Sequence, residues 1–125
     1  MSKVIEQIVV GFHTAVDRGL PCESLPKPLK AQFIKWVGTN YPDAAENADV
    51  DDLEGYLIDE HEGVGPIVDF FKTLPAKNLP AIFKDFRKRI DAYYSNSTLD
   101  PEDELEKAAI DTRKRIDAFL RKQAG

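Results

Sequence analysis

Several stretches of this 125-residue chain hold side chains suited to metal binding or catalysis, and each can be tested by its spacing. Asp49 to Glu60 puts carboxylates at the first, third and twelfth places of a twelve-residue window, the frame of an EF-hand calcium loop. The window has Leu53 at its fifth place and Glu54 at its sixth, where such a loop needs an oxygen ligand and a glycine. A capped acidic helix is the expectation instead. Asp59-Glu60-His61-Glu62 gathers four ligand types, but neighbours on a helix point about 100° apart, and one turn from His61 lie Leu57, Ile58, Val64 and Gly65. His13 stands one turn before Asp17, a spacing that can orient an imidazole for acid–base work; an ordinary helix-surface hydrogen bond needs nothing more. Cys22 has no histidine near it in sequence to generate the thiolate that a nucleophile requires. Gly63-Val64-Gly65-Pro66 loses an amide donor at Pro66 and serves better as a helix stop than as a phosphate cradle. These residues predict no metal, no cofactor and no catalytic centre.

Charge is where the sequence is least ordinary. No Lys or Arg occurs from Trp36 to Phe71, while ten acids do. Residues 1–35 carry five bases against three acids and residues 72–125 twelve against nine, so positive flanks enclose the acidic middle. Apart from Asp69, the acids that helix capping does not account for are Glu46, Asp59, Glu60 and Glu62. A contiguous negative surface of this kind steers basic partners and repels nucleic acid. With Trp36, Tyr41 and Tyr56 flanking it as aromatic anchors, these acids form the candidate partner-binding surface, and the expected partner is a basic protein. The alternative is a nucleic-acid-associated regulator that uses Arg87, Lys88, Arg89, Arg113, Lys114 and Arg115. Spacing weakens that alternative, because Asp85, Asp91, Asp111 and Asp117 lie one helical turn from most of the guanidinium groups.

Those basic clusters belong to a repeat. Arg87-Lys88-Arg89-Ile90-Asp91-Ala92-Tyr93 returns as Arg113-Lys114-Arg115-Ile116-Asp117-Ala118-Phe119. Leu79, Phe83, Phe86, Ile90 and Tyr93 in one copy, and Leu105, Ala109, Thr112, Ile116 and Phe119 in the other, both step by 4, 3, 4, 3, the seam of a helix that packs lengthwise on another. The polar stretch Ser95 to Pro101 between them predicts an antiparallel hairpin with Asp100 as N-cap, and Phe86 near Ala108, Ala109 and Thr112.

Upstream, Val4, Ile5, Ile8, Val9, Phe12, Ala15 and Val16 mark a first helix that stops near Gly19. Leu20-Pro21-Cys22-Glu23-Ser24-Leu25-Pro26 and Leu74-Pro75-Ala76-Lys77-Asn78-Leu79-Pro80 share a form in which Ser24 or Asn78 could cap helices beginning near 26 and 80. A second helix ends before Tyr41-Pro42, a third starts at the cap Asp49 with Val50, Leu53, Tyr56 and Leu57 as its stripe, and a short fourth opens at Pro66. The expectation is a compact all-α bundle of five to six helices in one domain, 1–125, with a C-terminal antiparallel hairpin. Hydrophobic residues at 42% and charged residues at 31% fit a globular protein. A lone cysteine, an N-terminus unlike a signal peptide and apolar runs too short for a membrane point to the cytoplasm, with homo-oligomers left open.

Overall fold

A computed structural model of the chain describes residues 2–16, 19–44, 49–61, 63–95 and 98–124, and within them all regular structure is helical. The six α-helices are α1 (Ser2–Ala15), α2 (Lys27–Asn40), α3 (Val50–Glu60), α4 (Gly65–Lys72), α5 (Leu79–Tyr94) and α6 (Glu104–Ala124). They divide into two compact units, Met1–Gly19 with Leu74–Gly125, and Leu20–Thr73. The division follows charge. The second unit has eleven acids and four bases, the first eleven acids and thirteen bases, giving −7 and +2. No helix among the described residues is long and apolar enough to cross a membrane.

In the first unit α1, α5 and α6 bury the stripes that periodicity marks. Ile5, Ile8, Val9, Phe12 and Ala15 of α1, Leu79, Phe83, Phe86 and Ile90 of α5, and Ala109, Thr112, Ile116 and Phe119 of α6 are all buried. Phe83 meets Phe119, Arg87 meets Asp117 and Arg113 meets Asp91, so residue numbers fall along one helix as they rise along the other and the repeated helices pair antiparallel. The repeat offset of 26 carries Arg87–Asp117 onto Arg113–Asp91, which makes the two bridges images of each other. The more extensive partner of α6, however, is α1. Phe12 stacks on Phe86 with ring centroids 4.4 Å apart, and Gly11 faces Thr112, so α1 packs on both of the repeated helices. The seam also ends sooner than its spacing implies. Tyr93 and Leu105 are 49% and 47% exposed, while Tyr94 turns inward and its hydroxyl donates to Ala15 O. A straight helix at 3.6 residues per turn drifts from a 4, 3, 4, 3 repeat, and Tyr94, four residues after Ile90, takes the inward place.

A Cβ on Gly11 would overlap the Thr112 hydroxyl and come within 3.2 Å of Thr112 Cβ. Gly11→Ala is therefore expected to destabilise the unit by about 1 to 3 kcal/mol, despite alanine's better helix propensity. Adding Thr112→Ala should recover most of that loss in a urea melt.

Capping departs from expectation at three helices. Asp103, not Asp100, caps α6, its Oδ1 accepting from Leu105 N–H and Glu106 N–H at 3.0 Å each. Asp100 opens a turn in which its side chain accepts from Glu102 N–H and its carbonyl from Asp103 N–H, with Pro101 at the second position that turns favour. Asp103→Ala is expected to cost about 1 kcal/mol and Asp100→Ala less, measured by thermal unfolding. Ser24 and Asn78 make no side-chain cap either. Both Leu-Pro stretches instead form a 3-10 turn, Pro21–Ser24 and Ala76–Asn78, ahead of helices with proline in the first turn, where a missing N–H costs nothing. Asp49 behaves as predicted, its carboxylate accepting from Asp51 N–H at 2.8 Å.

In the second unit Leu29, Phe33 and Val37 of α2, Leu53 and Leu57 of α3, and Ile67, Val68, Phe70 and Phe71 of α4 are buried. Phe33 meets Phe70 edge-on at 5.0 Å. Gly63, at φ 95°, donates its N–H to Ile58 O and closes α3, a backbone conformation that a side chain rarely tolerates.

Candidate functional site

The acidic unit brings three of the expected anchors together. Trp36, near the end of α2, sits 5.6 Å from Tyr41, whose ring meets His61 edge-on at 4.8 Å; His61 in turn lies 6.2 Å from Tyr56. Trp36 is braced from below by Phe33 and Phe70. All four rings of the row are partly exposed. The sequence placed Trp36, Tyr41 and Tyr56 beside the acids, but gave no sign that Asp43 joins them. Tyr56 Oη and His61 Nε2 both donate to Asp43 Oδ2, at 3.0 and 2.9 Å. The hydrogen bond from His61, with that from Tyr56, holds the Asp43 carboxyl below its ordinary range while half its side-chain surface stays open to water. Because a carboxylate can only accept, His61 carries its proton on Nε2.

Asp59 and Glu60, at the end of α3 next to His61, are exposed. Glu46 and Glu62, the other two acids of the expected surface, lie outside the described residues. Among the described residues no group of three or more His, Cys, Asp or Glu side chains could hold a metal ion. His61 is engaged with Asp43, 18 residues before it in sequence.

The other catalytic candidates are otherwise occupied. His13 Nδ1 lies 2.7 Å from Gly19 O, to which it donates, while Asp17 lies outside the described residues. Cys22 is fully buried, and burial, reinforced by the neighbouring Glu54, pushes its thiol well above the usual range, the reverse of an activated nucleophile.

Sequence reasoning missed Glu54, which is fully buried on α3. Its Oε2 accepts from Cys22 N–H at 2.8 Å, and its Oε1 has no partner. Burial raises its pKa to about 7. The signal was present, since Val50, Leu53, Glu54 and Leu57 fall at i, i+3, i+4 and i+7 of one helical face.

The basic clusters of the alternative reading face inward in part. Arg87 bridges to Asp117 at 2.6 Å and Asp91 at 3.5 Å, Arg113 to Asp91 at 2.8 Å, and Arg89 to Asp85 at 2.7 Å. Lys88, Lys114 and Arg115 are exposed. Compared with known proteins, the chain matches no family model, no curated protein and no solved structure.

Proposed function

We propose that this chain is a cytoplasmic protein-binding module that docks a basic partner on the acidic unit, with Trp36, Tyr41 and Tyr56 as anchors and Asp59, Glu60, Glu46 and Glu62 as the charged rim. The observation that carries the reading is the row of partly exposed rings from Trp36 to Tyr56, tied to Asp43 and flanked by Asp59 and Glu60, in a stretch without Lys or Arg. Aromatic rings offer contact area at low entropic cost and attract the side chains of Lys and Arg, while the acids accelerate encounter. Three of the four arginines that nucleic-acid binding would use, Arg87, Arg89 and Arg113, are engaged with Asp85, Asp91 and Asp117, and this favours the acidic face over the basic one.

The test is retention at low salt of a Lys/Arg-rich peptide by the immobilised chain, alongside passage of the chain over immobilised duplex DNA. The reading expects the peptide to be held and released by salt, the DNA column to let the chain flow through, and the variant Asp59→Asn, Glu60→Gln, Glu62→Gln to lose the peptide while keeping its stability. Retention on DNA with a steep salt dependence, and none of the peptide, would overturn it.

A further inference from the structure

Glu54 is buried for no purpose that the docking surface explains. It lies where α3 meets the Pro21–Ser24 turn, and that contact is poorly satisfied: Glu54 Oε1 and Ser24 Oγ are both buried without a partner, and the carboxyl is tied to the turn at Cys22, whose N–H donates to Glu54 Oε2 and whose thiol also hydrogen-bonds the carboxyl. The turn contributes Cys22 and Glu23 to the surroundings of the carboxyl, and α3 itself contributes Asp51. Lys30 of α2 is half-buried, and its charge acts on Cys22. The charged residues of α4, Asp69 and Lys72, are exposed, and Asp43, before α3, is engaged by His61 and Tyr56. Among these groups none bridges to Glu54, and the charges that act on it most, Glu23 and Asp51, are of its own sign.

A neutral carboxylic acid tolerates such a place. A carboxylate there is a buried charge held by Cys22 with none of these groups bridging to it, and it regains solvation only if something moves aside. The Pro21–Ser24 turn is the smaller element, and its backbone bonds, Glu23 N–H to Leu20 O and Leu25 N–H to Cys22 O, lie within the turn and survive its displacement. Local opening of this kind costs less than unfolding the unit.

We propose that Glu54 is a proton-operated latch: as the neutral acid it holds the Pro21–Ser24 turn and Cys22 closed against α3, and as the carboxylate it releases the turn and exposes the thiol. The device makes the accessibility of the only cysteine depend on pH across the neutral range. Linkage sets the profile: opening becomes easier as pH rises from the ordinary glutamate range, and the gain levels off once the buried acid is itself ionised, above about 7.

The experiment labels Cys22 in the full chain with a methanethiosulfonate reagent. Rates are divided by those of an unstructured thiol peptide, which removes the thiol's intrinsic pH dependence, and amide exchange is followed in peptides covering residues 20–25 and α6. In the parent, protection of Cys22 should fall more than tenfold between about pH 5 and about pH 7 and then level, with exchange rising in residues 20–25 and not in α6. Glu54→Gln, and independently Glu54→Leu, should abolish most of the fall. A parent profile that is flat over this range overturns the latch, as does an equal fall in Glu54→Gln. So does a fall matched by exchange in α6, which would signal global unfolding.

Discussion

Phe86→Ala should lower the stability of the unit built from α1, α5 and α6 by about 3 to 5 kcal/mol, the range for deleting a buried aromatic ring. Phe86 is fully buried, stacks on Phe12 at 4.4 Å and lies 5.6 Å from Phe83. Its ring is where α1 closes on α5, so truncation opens a cavity between two helices that are far apart in sequence and cannot collapse without losing register. Tyr93, two turns further along α5 and 49% exposed, is the control, and Tyr93→Ala should shift the urea midpoint little. Equal shifts for the two variants would mean that α1 is not docked as described.

Glu54→Gln should stabilise the chain in alkaline solution by roughly 3 kcal/mol and change stability little near pH 4. The sign follows from the direction of the shift. The folded-state pKa of about 7 lies above the ordinary 4.5, so the folded chain binds the proton more tightly and Glu54 is least costly at low pH. As pH rises from about 4.5 to 7 the parent loses that advantage, and above 7 the loss is complete. Glutamine keeps an oxygen for Cys22 N–H and has nothing to ionise. Denaturant midpoints of parent and variant measured from pH 4 to pH 8 should therefore diverge with rising pH; parallel curves would show that Glu54 is not buried as an acid.

Much of this fold is legible in the sequence because apolar spacing records which face of a helix is buried. Ile90 and Ile116 are both fully buried, as the repeat implies, and Gly63 and Pro66 divide α3 from α4 where they stand. What spacing cannot record is which distant element covers a given face. The repeat marks Phe86 and Thr112 as seam residues but does not show that α1 packs on both, and the glycine that makes room for it, Gly11, looks like any other helix residue. The misplaced cap at α6 has a local cause. Asp100-Pro101 and Asp103 with Glu106 are two start signals in one stretch, and the first is used for a turn.

The site is legible in the same uneven way. Composition alone reveals the cation-free acidic stretch, and proximity in sequence suggests Trp36, Tyr41 and Tyr56. The hub that joins them, Asp43, looks like a loop aspartate, because its partners Tyr56, within α3, and His61, just after it, lie 13 and 18 residues on in sequence. Glu54 was hidden by its type. A glutamate among Asp51, Asp52 and other acids reads as solvated, although its position on the helix is that of a core residue.

Trp36 is the only tryptophan and sits within the proposed docking surface, so its fluorescence reports on that surface alone. The most direct measurement is a titration of the chain at low salt with a Lys/Arg-rich peptide, with a Glu/Asp-rich peptide and duplex DNA as comparisons. The docking account predicts a saturable change in Trp36 emission with the basic peptide only, suppressed by added salt and lost in Asp59→Asn with Glu60→Gln. Unchanged Trp36 emission with the basic peptide, or binding that survives removal of both acids, would contradict it.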